Sequence, residues 1–365
     1  MGARECSLEG MEVKDMRVLV TGHNGYIGCA LVPILLRAGH EAVGLDNFIF
    51  EHCSLGPDLE PVPAIRKDVR DVELSDLKGF DAIIHLAGIS NDPLGDLNPE
   101  CTYEINYRAS VRLARLARQA GVGRCLFSSS CSNYGASGGD SVLTEEAAFN
   151  PVTSYGHSKV LVEQEVAQLA DSSFTPVFLR NATAYGYSPR LRGDLVLNNL
   201  VGWAYTTGKV MLKSDGTPWR PIVHIEDISA AFLAILEAPT QLIHNQAFNV
   251  GRTEENYQMR DLAAIVMDTV PGSQVTFADG AGPDKRCYRV NCDKISRTLP
   301  AFKPRWTARD GARQLYDAYR TFGLTLSDFE GSRYMRIKHV KKLQAEGLLD
   351  LNLRWEPAAV TAAHQ

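Results

Sequence analysis

Short apolar runs alternate with stretches of helical periodicity along the first half of the chain. Residues 17–20 form an apolar run that ends in glycines, which is typical of a buried parallel strand. Residues 27–38 then show helical spacing, and Gly39 is placed to end that helix. Further strands are predicted at 42–45 and around 63–65. This alternation indicates repeated βαβ units.

The alternation continues to about residue 187. Strands are predicted at 82–88, 125–127 and 176–180, and a helix before the second of them carries an apolar stripe of Ile105, Ala109, Leu113, Leu116 and Ala120. A second stripe on this helix is basic and fits a solvated face better than an anion site; it holds Arg108, Arg112, Arg115 and Arg118. Strands that alternate with helices predict an α/β fold with a doubly wound parallel sheet.

Beyond residue 187, proline, glycine and asparagine interrupt short helical stretches. A strand is predicted at 220–224, and a helix capped by Asp227 is predicted to run to Leu236. Residues 248–251 add one more strand to the same sheet. The remainder mixes helices with a loop at 280–286, so we expect a smaller, mixed α/β C-terminal domain.

Composition excludes several classes of function. A net charge of -5 and a pI near 6.0 give no basic footprint for nucleic acid or an anionic membrane. No apolar run approaches the roughly 20 residues of a spanning helix. Residues 1–15 hold scattered acids and no apolar segment, so we predict a loosely ordered extension and no signal peptide. Eight cysteines without metal-type spacing favour reduced thiols in the cytoplasm and no metal site.

Three glycines follow the first predicted strand. Gly22, Gly25 and Gly28 lie where that strand turns into a helix, so backbone N–H groups can approach a pyrophosphate there. Asp46 follows 24 residues after Gly22, at the end of the second strand. Its carboxylate can accept from a ribose 2′-hydroxyl and would repel a 2′-phosphate. The pattern predicts a dinucleotide cofactor, with NAD preferred to NADP.

Further cofactor contacts are predicted at the ends of the other strands. Asp68 and Val69 follow the third strand, where they either meet the adenine or form only a surface turn. The remaining predicted contacts belong to the glycine turn and to the ends of the second, fourth and fifth strands: Asn24, Tyr26, Ile27, Asn47, Leu86, Ala87, Gly88 and Ser128.

Tyr155 and Lys159 are four residues apart, so on a helix they share one face. A phenol with a reference pKa of about 10 is a poor base at neutral pH. A nearby ammonium is expected to lower that pKa by favouring the phenolate. The hydroxyl of Ser130 can aim at the same substrate oxygen. Together these residues predict a site that moves a proton while a hydride leaves carbon.

Taken in order, the glycine turn, residues 85–88, Ser130, Tyr155 and Lys159 resemble the extended short-chain dehydrogenase/reductases. The similarity is to the NAD-dependent nucleotide-sugar epimerases and dehydratases, and it runs from residue 17 to about 250. The resemblance implies that a nicotinamide rests against Tyr155 and Lys159. It further implies a nucleotide diphosphate sugar beneath a second domain. The implied division is an N-terminal extension at 1–15, an NAD-binding Rossmann domain at 16–186 plus 223–252, and a substrate-binding domain at 187–222 plus 253–365.

The resemblance also implies roles for single residues. Ser130 is the hydroxyl partner, Tyr155 the acid/base and Lys159 the residue that binds ribose and lowers the pKa of Tyr155, while Asn106 steadies the lysine through water. The residues implied to contact the substrate are Ser90, Asn91, Asp92, Ser130, Ser132, Asn181, Thr183, Asn199, Arg220 and Arg286. A surface salt bridge is the alternative for Arg220. Family analogy further implies a homodimer.

Three parts of the chain depart from the family pattern: residues 131–132, Thr183 and the loop at 89–93. Dehydratases of the group carry an Asp-Glu pair directly after the catalytic hydroxyl, where this chain has Cys131 and Ser132. Dehydration is therefore disfavoured, and a packing thiol is favoured over a chemical role for Cys131. Thr183 stands where asparagine is frequent, and the loop at 89–93 is also unlike the common form, so the sugar is left open.

These observations predict an NAD-dependent nucleotide-sugar epimerase that acts at C4 through a transient 4-keto intermediate. A UDP-sugar is the favoured substrate. A one-way NAD(P)-dependent ketoreductase or dehydrogenase uses the same three residues and stays open, although Asp46 favours NAD. A catalytically inactive, NAD-sensing binding protein is the alternative from another class. Such proteins typically lose the tyrosine or the lysine, and both are present here.

Overall fold

The computed structural model describes residues 15–57, 59, 61–90, 92–137, 141–282 and 287–357, with side chains described outside 278–282. The strands are β1 (Arg17–Thr21), β2 (Glu41–Asp46), β3 (Ala64–Arg66), β4 (Ala82–His85), β5 (Arg124–Ser130), β6 (Val142–Leu143), β7 (Thr175–Asn181), β8 (Thr183–Tyr185), β9 (Lys209–Ser214), β10 (Trp219–His224), β11 (Gln246–Val250), β12 (Asn256–Gln258), β13 (Gln274–Gly282) and β14 (Arg289–Val290). The predicted extension lies outside the described residues except for Asp15.

The helices are α1 (Gly28–Arg37), α2 (Asp92–Gly95), α3 (Pro99–Tyr103), α4 (Ala109–Gln119), α5 (Ser154–Ala167), α6 (Val196–Thr207), α7 (Ile225–Glu237), α8 (Thr240–Ile243), α9 (Met259–Thr269), α10 (Asp293–Thr298), α11 (Ala308–Thr321), α12 (Leu326–Glu330) and α13 (Arg336–Ala345). A π-helical segment (Glu104–Arg108) joins α3 to α4, and short 3₁₀ turns occur at Val69–Asp71, Leu74–Leu77 and Cys131–Tyr134.

A seven-stranded sheet forms the centre of the fold, in the order β11-β7-β5-β4-β1-β2-β3 with every neighbouring pair parallel. Helices cover both faces. Leu113 of α4 and Val162 of α5 pack on one face, while Leu31 of α1 and Phe232 of α7 pack on the other. The chain leaves β1 toward β2 on one side and later returns to β4 on the other. The carboxyl ends of β1 and β4 thus form a topological switch point, the usual ligand crevice of such sheets.

A smaller layer lies beyond the large sheet. Strands β8, β10 and β12 make a three-stranded sheet, and β9 pairs with β13. Helices α6, α9 and α11 pack around these strands through residues such as Leu200, Leu262 and Leu315. The strand predicted at 220–224 therefore lies in this second sheet, whereas the strand predicted at 248–251 joins the large one as β11.

Two C-terminal helices pack back onto the large sheet. Ile295 of α10 joins the core on one face, and Val340 and Leu343 of α13 join the core on the other. These helices belong to the range that the sequence places in the substrate-binding domain. We call residues 336–357 the C-terminal arm. Helices α10 and α13 therefore depart from the predicted domain division, because both bury apolar side chains against the large sheet of the first domain.

The cap predicted for α7 is wrong. The helix begins at Ile225, and the side chain of His224 accepts from the backbone N–H of Glu226. The buried carboxylate of Asp227 instead accepts from the backbone N–H groups of Arg305 and Trp306, at 3.0 Å each. The carboxylate oxygens of Asp227, which the sequence pattern assigns to a local helix cap, are thus hydrogen-bonded to a segment distant in sequence.

The basic stripe on α4 and the segment before it forms ion pairs at the surface. Arg108 pairs with Glu100 and Glu104, Arg115 with Glu165, and Arg118 with Asp171. All these arginine side chains are about half exposed, so the predicted solvated face is confirmed. Separately, none of the helices in the described ranges combines the length and apolar character needed to span a bilayer.

Candidate active site

The glycine turn lies between the end of β1 and the start of α1. Gly22 has φ 74°, and a Cβ there would lie 2.7 Å from the backbone nitrogen of Ala87. A Cβ at Gly28 would lie 2.3 Å from the carbonyl oxygen of His23. Neither position can hold a side chain without moving backbone. A dinucleotide diphosphate requires a turn whose glycines let the backbone approach it at a helix N-terminus, so these residues fit the predicted cofactor.

Asp46 stands beside this turn at the end of β2, as predicted. Its carboxylate accepts from the backbone N–H groups of Asn24 and Phe48, at 3.1 and 2.8 Å. Burial raises the pKa of Asp46, while these N–H groups and the charges of His23 and Arg190 act in the opposite direction. The turn and the ribose-binding candidate are thus held together by direct hydrogen bonds.

Arg190 is a residue that the sequence reasoning missed. Its Nε donates to the carbonyl oxygen of Asn24 at 3.1 Å, and its Nη2 donates to Asn24 Oδ1 at 2.8 Å. Its Nη1 donates to the carbonyl oxygen of Glu51 and the hydroxyl of Ser54. A buried arginine from the segment after β8 therefore ties the glycine turn to the loop after β2. The only sequence signal is a pair of arginines flanking Leu191 in this segment.

Asp68 and Val69 occupy a structural turn after β3. Asp68 accepts from Arg70 Nε at 2.9 Å and from Arg70 Nη2 at 2.7 Å, and this charged partner lowers the pKa of Asp68 against the effect of burial. Val69 is buried in the core. Arg70 also donates to the carbonyl oxygen of Asn352 in the C-terminal arm at 2.8 Å. A contact from Asp68 to adenine stays a prediction.

The loop after β4 packs against the glycine turn. The backbone N–H groups of Leu86 and Ala87 donate to the carbonyl and hydroxyl oxygens of Thr21, at 3.0 and 3.3 Å. Asn106 accepts from the N–H of Ile89 at 2.7 Å and donates to its carbonyl oxygen at 2.8 Å. Asn106 also donates to the hydroxyl of Ser158 at 3.3 Å. It therefore anchors this loop from a π-helical segment, a feature frequent at functional sites.

Ser130, Tyr155 and Lys159 come together at the carboxyl end of β5. Helix α5 starts after Thr153, whose hydroxyl accepts from the N–H of Gly156, and it presents Tyr155 and Lys159 on one face. The Ser130 hydroxyl is near enough to the Tyr155 phenol to act on its pKa. The Lys159 nitrogen lies 5.7 Å from the centroid of the Tyr155 ring. The grouping that the spacing predicts is present.

The electrostatics of this trio differ from the prediction. Burial raises the pKa of Tyr155 to about 12, with the hydrogen bond from Ser130 and the charge of Arg192 acting in the opposite direction. Burial lowers the pKa of Lys159 to about 7, opposed by the charge of Glu163. The lowering of the Tyr155 pKa by Lys159 is therefore not realised within the protein itself. Both side chains have lost the hydration of their charged forms, and this loss outweighs their proximity.

Ser132 and Cys131 occupy the positions of the dehydratase carboxylates. Ser132 donates from its hydroxyl to Ser130 Oγ at 2.8 Å. The Cys131 thiol is fully buried and donates to the carbonyl oxygen of Arg180 at 3.1 Å. Burial raises the pKa of Cys131. The thiol is thus a packing group and not a ready base, as expected.

Asn181 ends β7 next to the serines of β5. Its Nδ2 donates to the hydroxyl of Ser128 at 3.0 Å, while its Oδ1 is buried with no hydrogen-bond partner. Lys159 donates to the carbonyl oxygen of the same serine at 2.7 Å. Buried oxygens without partners are uncommon in folded proteins, and contact of Asn181 with a substrate stays a prediction.

The other predicted substrate contacts are described by their positions and partners within the protein. Thr183 pairs with Ile222 across β8 and β10, Asn199 donates to the carbonyl oxygen of Gly193 at 2.7 Å, and buried Arg220 donates to that of Trp219 at 2.9 Å. Asp92 begins α2. Asn91 and Arg286 lie outside the described residues. Contact of these side chains with a substrate stays a prediction.

Arg192 is a second residue that sequence reasoning missed. It forms a two-point ion pair with Asp194, with Nε to Oδ1 and Nη2 to Oδ2 both at 3.0 Å. Its Nη1 donates to the hydroxyl of Ser90 at 3.0 Å, so it reaches the predicted sugar-binding loop. Its charge acts on Tyr155. A buried cation thus contacts the predicted sugar-binding loop and also acts on the phenol of Tyr155.

Comparison with known proteins agrees with this geometry. Residues 18–251 match the model of the NAD dependent epimerase/dehydratase family. The UDP-glucose 4-epimerase of Neisseria meningitidis serogroup A is 30% identical over 331 residues, which cover 83% of this chain and 96% of that protein. A structure of MoeE5 with UDP-glucuronic acid and NAD is 25% identical, with a TM-score of 0.72 over 84% of this chain and 99% of that one.

The UDP-glucuronic acid 4-epimerase of Bacillus cereus, in complex with UDP-glucuronic acid and NAD, has the same fold at 24% identity. Its TM-score is 0.71 over 84% of this chain and 99% of that one. These matches confirm the predicted α/β fold with its parallel sheet and the predicted NAD cofactor. By sequence match and by the geometry of its site, the chain belongs to the NAD-dependent epimerase/dehydratase family.

Proposed function

We propose that the protein is an epimerase that inverts C4 of a UDP-linked sugar through a 4-keto intermediate. The observation that carries this proposal is the grouping of Ser130, Tyr155 and Lys159 with a buried thiol, Cys131, directly after the serine. This site can move a proton and position an alcohol, but it holds no carboxylate there for elimination. The named relatives that act on UDP-glucose support the choice of nucleotide.

Proton transfer falls to Tyr155 and Ser130. Because burial raises the pKa of Tyr155 to about 12, the phenol needs added positive charge before it can accept a proton near neutral pH. Bound NAD supplies both the hydride acceptor and a positive charge. Tyr155 then takes the proton of the C4 hydroxyl, and Ser130 holds the same oxygen by a hydrogen bond. Lys159 and Arg192 provide the remaining positive charge around the phenol.

The return step uses the same residues. Tyr155 gives the proton back to the C4 oxygen when hydride returns to the opposite face of the sugar. The reaction therefore consumes no oxidant or reductant overall. Inversion requires that the sugar turn over between the two hydride transfers, and Ser90, Asp92 and Thr183 are the residues we expect to permit that rotation.

Loss of water from the sugar needs a base near C5, and this site does not offer one at the expected positions. The Cys131 thiol donates a hydrogen bond to the carbonyl oxygen of Arg180, and the Ser132 hydroxyl donates one to Ser130 Oγ. Burial makes ionisation of the thiol still harder. Epimerisation is therefore favoured over dehydration.

The test uses purified protein with UDP-glucose, UDP-galactose, UDP-N-acetylglucosamine and UDP-glucuronic acid in turn. Proton NMR of the sugar signals is expected to show the C4 epimer of at least one of them, with no stoichiometric change in reduced-nicotinamide absorbance. A one-way change in that absorbance would instead assign a ketoreductase or dehydrogenase. Loss of one water by mass spectrometry would assign a dehydratase, and bound NAD without any conversion would assign a binding protein.

We also propose a homodimer, paired through α3, α4 and α5. The support is the family resemblance and the joining of α5 to α4 and to the π-helical segment between α3 and α4, because the Tyr107 hydroxyl donates to Glu165 and Arg115 pairs with the same carboxylate. Sedimentation equilibrium is expected to give twice the chain mass of 40.1 kDa. A single-chain mass across the concentration range would contradict the proposal.

A further inference from the structure

Three arginines lie buried close together beside the glycine turn. Arg190, Arg192 and Arg336 are 5%, 7% and 5% exposed. Arg192 forms its ion pair with Asp194, and Arg190 donates mainly to carbonyl, amide and hydroxyl oxygens. The arginines come from the segment after β8 and from the start of α13, so only the folded chain assembles them.

Arg336 is the least satisfied of the three. Its Nη1 is buried and has no hydrogen-bond partner, and its Nη2 makes only a long bond of 3.4 Å to the carbonyl oxygen of Arg190. The guanidinium lies 3.9 Å from the centroid of the Phe50 ring. Among the described residues, no carboxylate lies within ion-pair distance of it. The Cys53 thiol, a weak acceptor, and the charge of Asp194, which is paired with Arg192, also act on Arg336.

A buried guanidinium without an anion costs several kcal/mol, because water is lost and no charge replaces it. Burial lowers the pKa of Arg336 to about 10; the charges of Arg192 and Arg190 act in the same direction, and those of Cys53 and Asp194 act against it. A methionine or leucine would fill the same space over Phe50 without this penalty. An arginine here is therefore explained by an anion that binds against it.

The position of the three arginines beside the glycine turn indicates which anion would bind Arg336. Arg190 and Arg336 both act electrostatically on the thiol of Cys29, in the first turn of α1. Arg190 is bonded to Asn24 within the glycine turn. The Ser188 hydroxyl, from the same segment, donates to the carbonyl oxygen of Tyr26 at 2.9 Å. The cluster thus lies against the helix N-terminus that suits a diphosphate.

We propose that Arg336, held in place by Arg190 and Phe50, donates through its unpaired Nη1 to the diphosphate of NAD. The C-terminal arm is then part of the cofactor site, although the family match ends at residue 251. The arm is also fixed to the loop after β2, because the Trp355 indole donates to the carbonyl oxygen of Asn47 at 2.7 Å and His339 bonds to that of Ile49 at 2.8 Å. The arm thus holds the loop that follows Asp46, the predicted ribose contact.

The test is an Arg336→Met variant, which keeps a flexible side chain over Phe50 and removes the charge. NAD affinity is measured by calorimetry on protein stripped by dialysis, and NAD retained on purification is measured by mass spectrometry. We expect NAD to bind about tenfold or more weakly, as when a charge-assisted hydrogen bond is lost. The melting temperature of the NAD-free variant is expected to equal or exceed that of the parent, because an uncompensated buried charge is gone.

The matched control is Arg354→Met, which removes an exposed arginine of the same arm that pairs with Asp71. It is expected to leave NAD affinity within twofold of the parent. UDP is titrated as a second arm, because a sugar nucleotide also carries a diphosphate. A fall in UDP affinity with NAD affinity unchanged would overturn the assignment to the cofactor.

A purely structural role for Arg336 gives a different result. In that case Arg336→Met lowers the melting temperature of the NAD-free protein and leaves NAD affinity unchanged, which contradicts the proposal. If the methionine variant does not fold, Arg336→Lys keeps a charge and loses the planar donor pair. It is then expected to weaken NAD binding while UDP binding stays as in the parent, and unchanged NAD affinity in this variant also overturns the proposal.

Discussion

The buried Lys159 ammonium donates a hydrogen bond to the carbonyl oxygen of Ser128 over 2.7 Å. Burial lowers the pKa of Lys159 to about 7 from an ordinary value of 10.5. The unfolded chain therefore binds this proton more tightly than the folded chain does. Lys159 therefore destabilises the folded protein. This contribution has its full size below about pH 7 and disappears as the pH rises toward 10.5.

Lys159→Met is expected to raise the stability of the NAD-free protein at neutral and acidic pH. The gain over the parent should be larger near pH 6.5 than near pH 9.5, and chemical unfolding at both values measures it. Turnover is expected to fall by about 10²- to 10⁴-fold, because the charge beside Tyr155 is lost. As a control, Lys342→Met removes an exposed lysine and should change stability equally at both pH values. An equal gain for Lys159→Met at both values would contradict the lowered pKa.

Tyr155→Phe removes only the hydroxyl that exchanges the proton. We expect kcat to fall by about 10²- to 10⁴-fold, the usual worth of a general acid/base. Bound NAD per chain, measured after acid extraction, should stay as in the parent. Tyr107→Phe is the matched control, since Tyr107 bonds to Glu165 and not to the trio; it should keep full turnover, with sedimentation showing the same mass as the parent. Turnover retained in Tyr155→Phe would remove this residue from its assigned role.

Cys131→Ala tests whether the thiol takes part in the chemistry. Because the thiol is buried and bonded to the carbonyl oxygen of Arg180, the variant should keep kcat within about threefold of the parent and lose roughly 1–2 kcal/mol of stability. Initial rates from NMR of the sugar product and a urea unfolding curve measure the two effects. A collapse of kcat in a fully folded variant would show that Cys131 acts on the substrate.

Glu163 and Glu165 lie two residues apart on α5 but in opposite environments. Glu163 is 5% exposed and pairs with buried Arg180, so Glu163→Gln leaves that guanidinium uncompensated. We expect a loss of about 3–5 kcal/mol in the free energy of unfolding. Glu165→Gln breaks the surface pair with Arg115, while the amide oxygen can still accept from the Tyr107 hydroxyl, and the change should cost less than about 1 kcal/mol. Equal effects in urea unfolding would refute the difference in burial.

Local patterns predicted the elements of the first domain well. The glycine-ended strand, the helix stopped near Gly39 and the apolar runs of β5 and β7 each depend on residues close in sequence. The predictions failed where a residue distant in sequence forms the hydrogen bond that a local pattern assigns to a neighbour. Asp227 does not cap α7 because Arg305 and Trp306 take its carboxylate. The strand predicted at 82–88 ends at His85 because the next residues fold against the glycine turn.

The site shows the same division. The spacing of Tyr155 and Lys159 on one helix, the glycine turn and Asp46 at a strand end are local features, and they predicted which residues meet. The direction of the Tyr155 pKa was wrong, because burial is a property of the whole fold and outweighs one neighbouring charge. Arg190 and Arg192 carried no recognisable motif and became part of the site only through contacts with Asn24 and Ser90.

By itself the sequence determined the fold class and the family, and it named the residues that we propose to move the proton, because periodicity and short motifs encode each of them. Only the tertiary structure decided how strongly those residues hold their protons. It alone also brought Arg336 to the carbonyl oxygen of Arg190, across 146 residues. Burial and long-range contact depend on how the helices pack on the sheet. No local pattern along the chain records that packing.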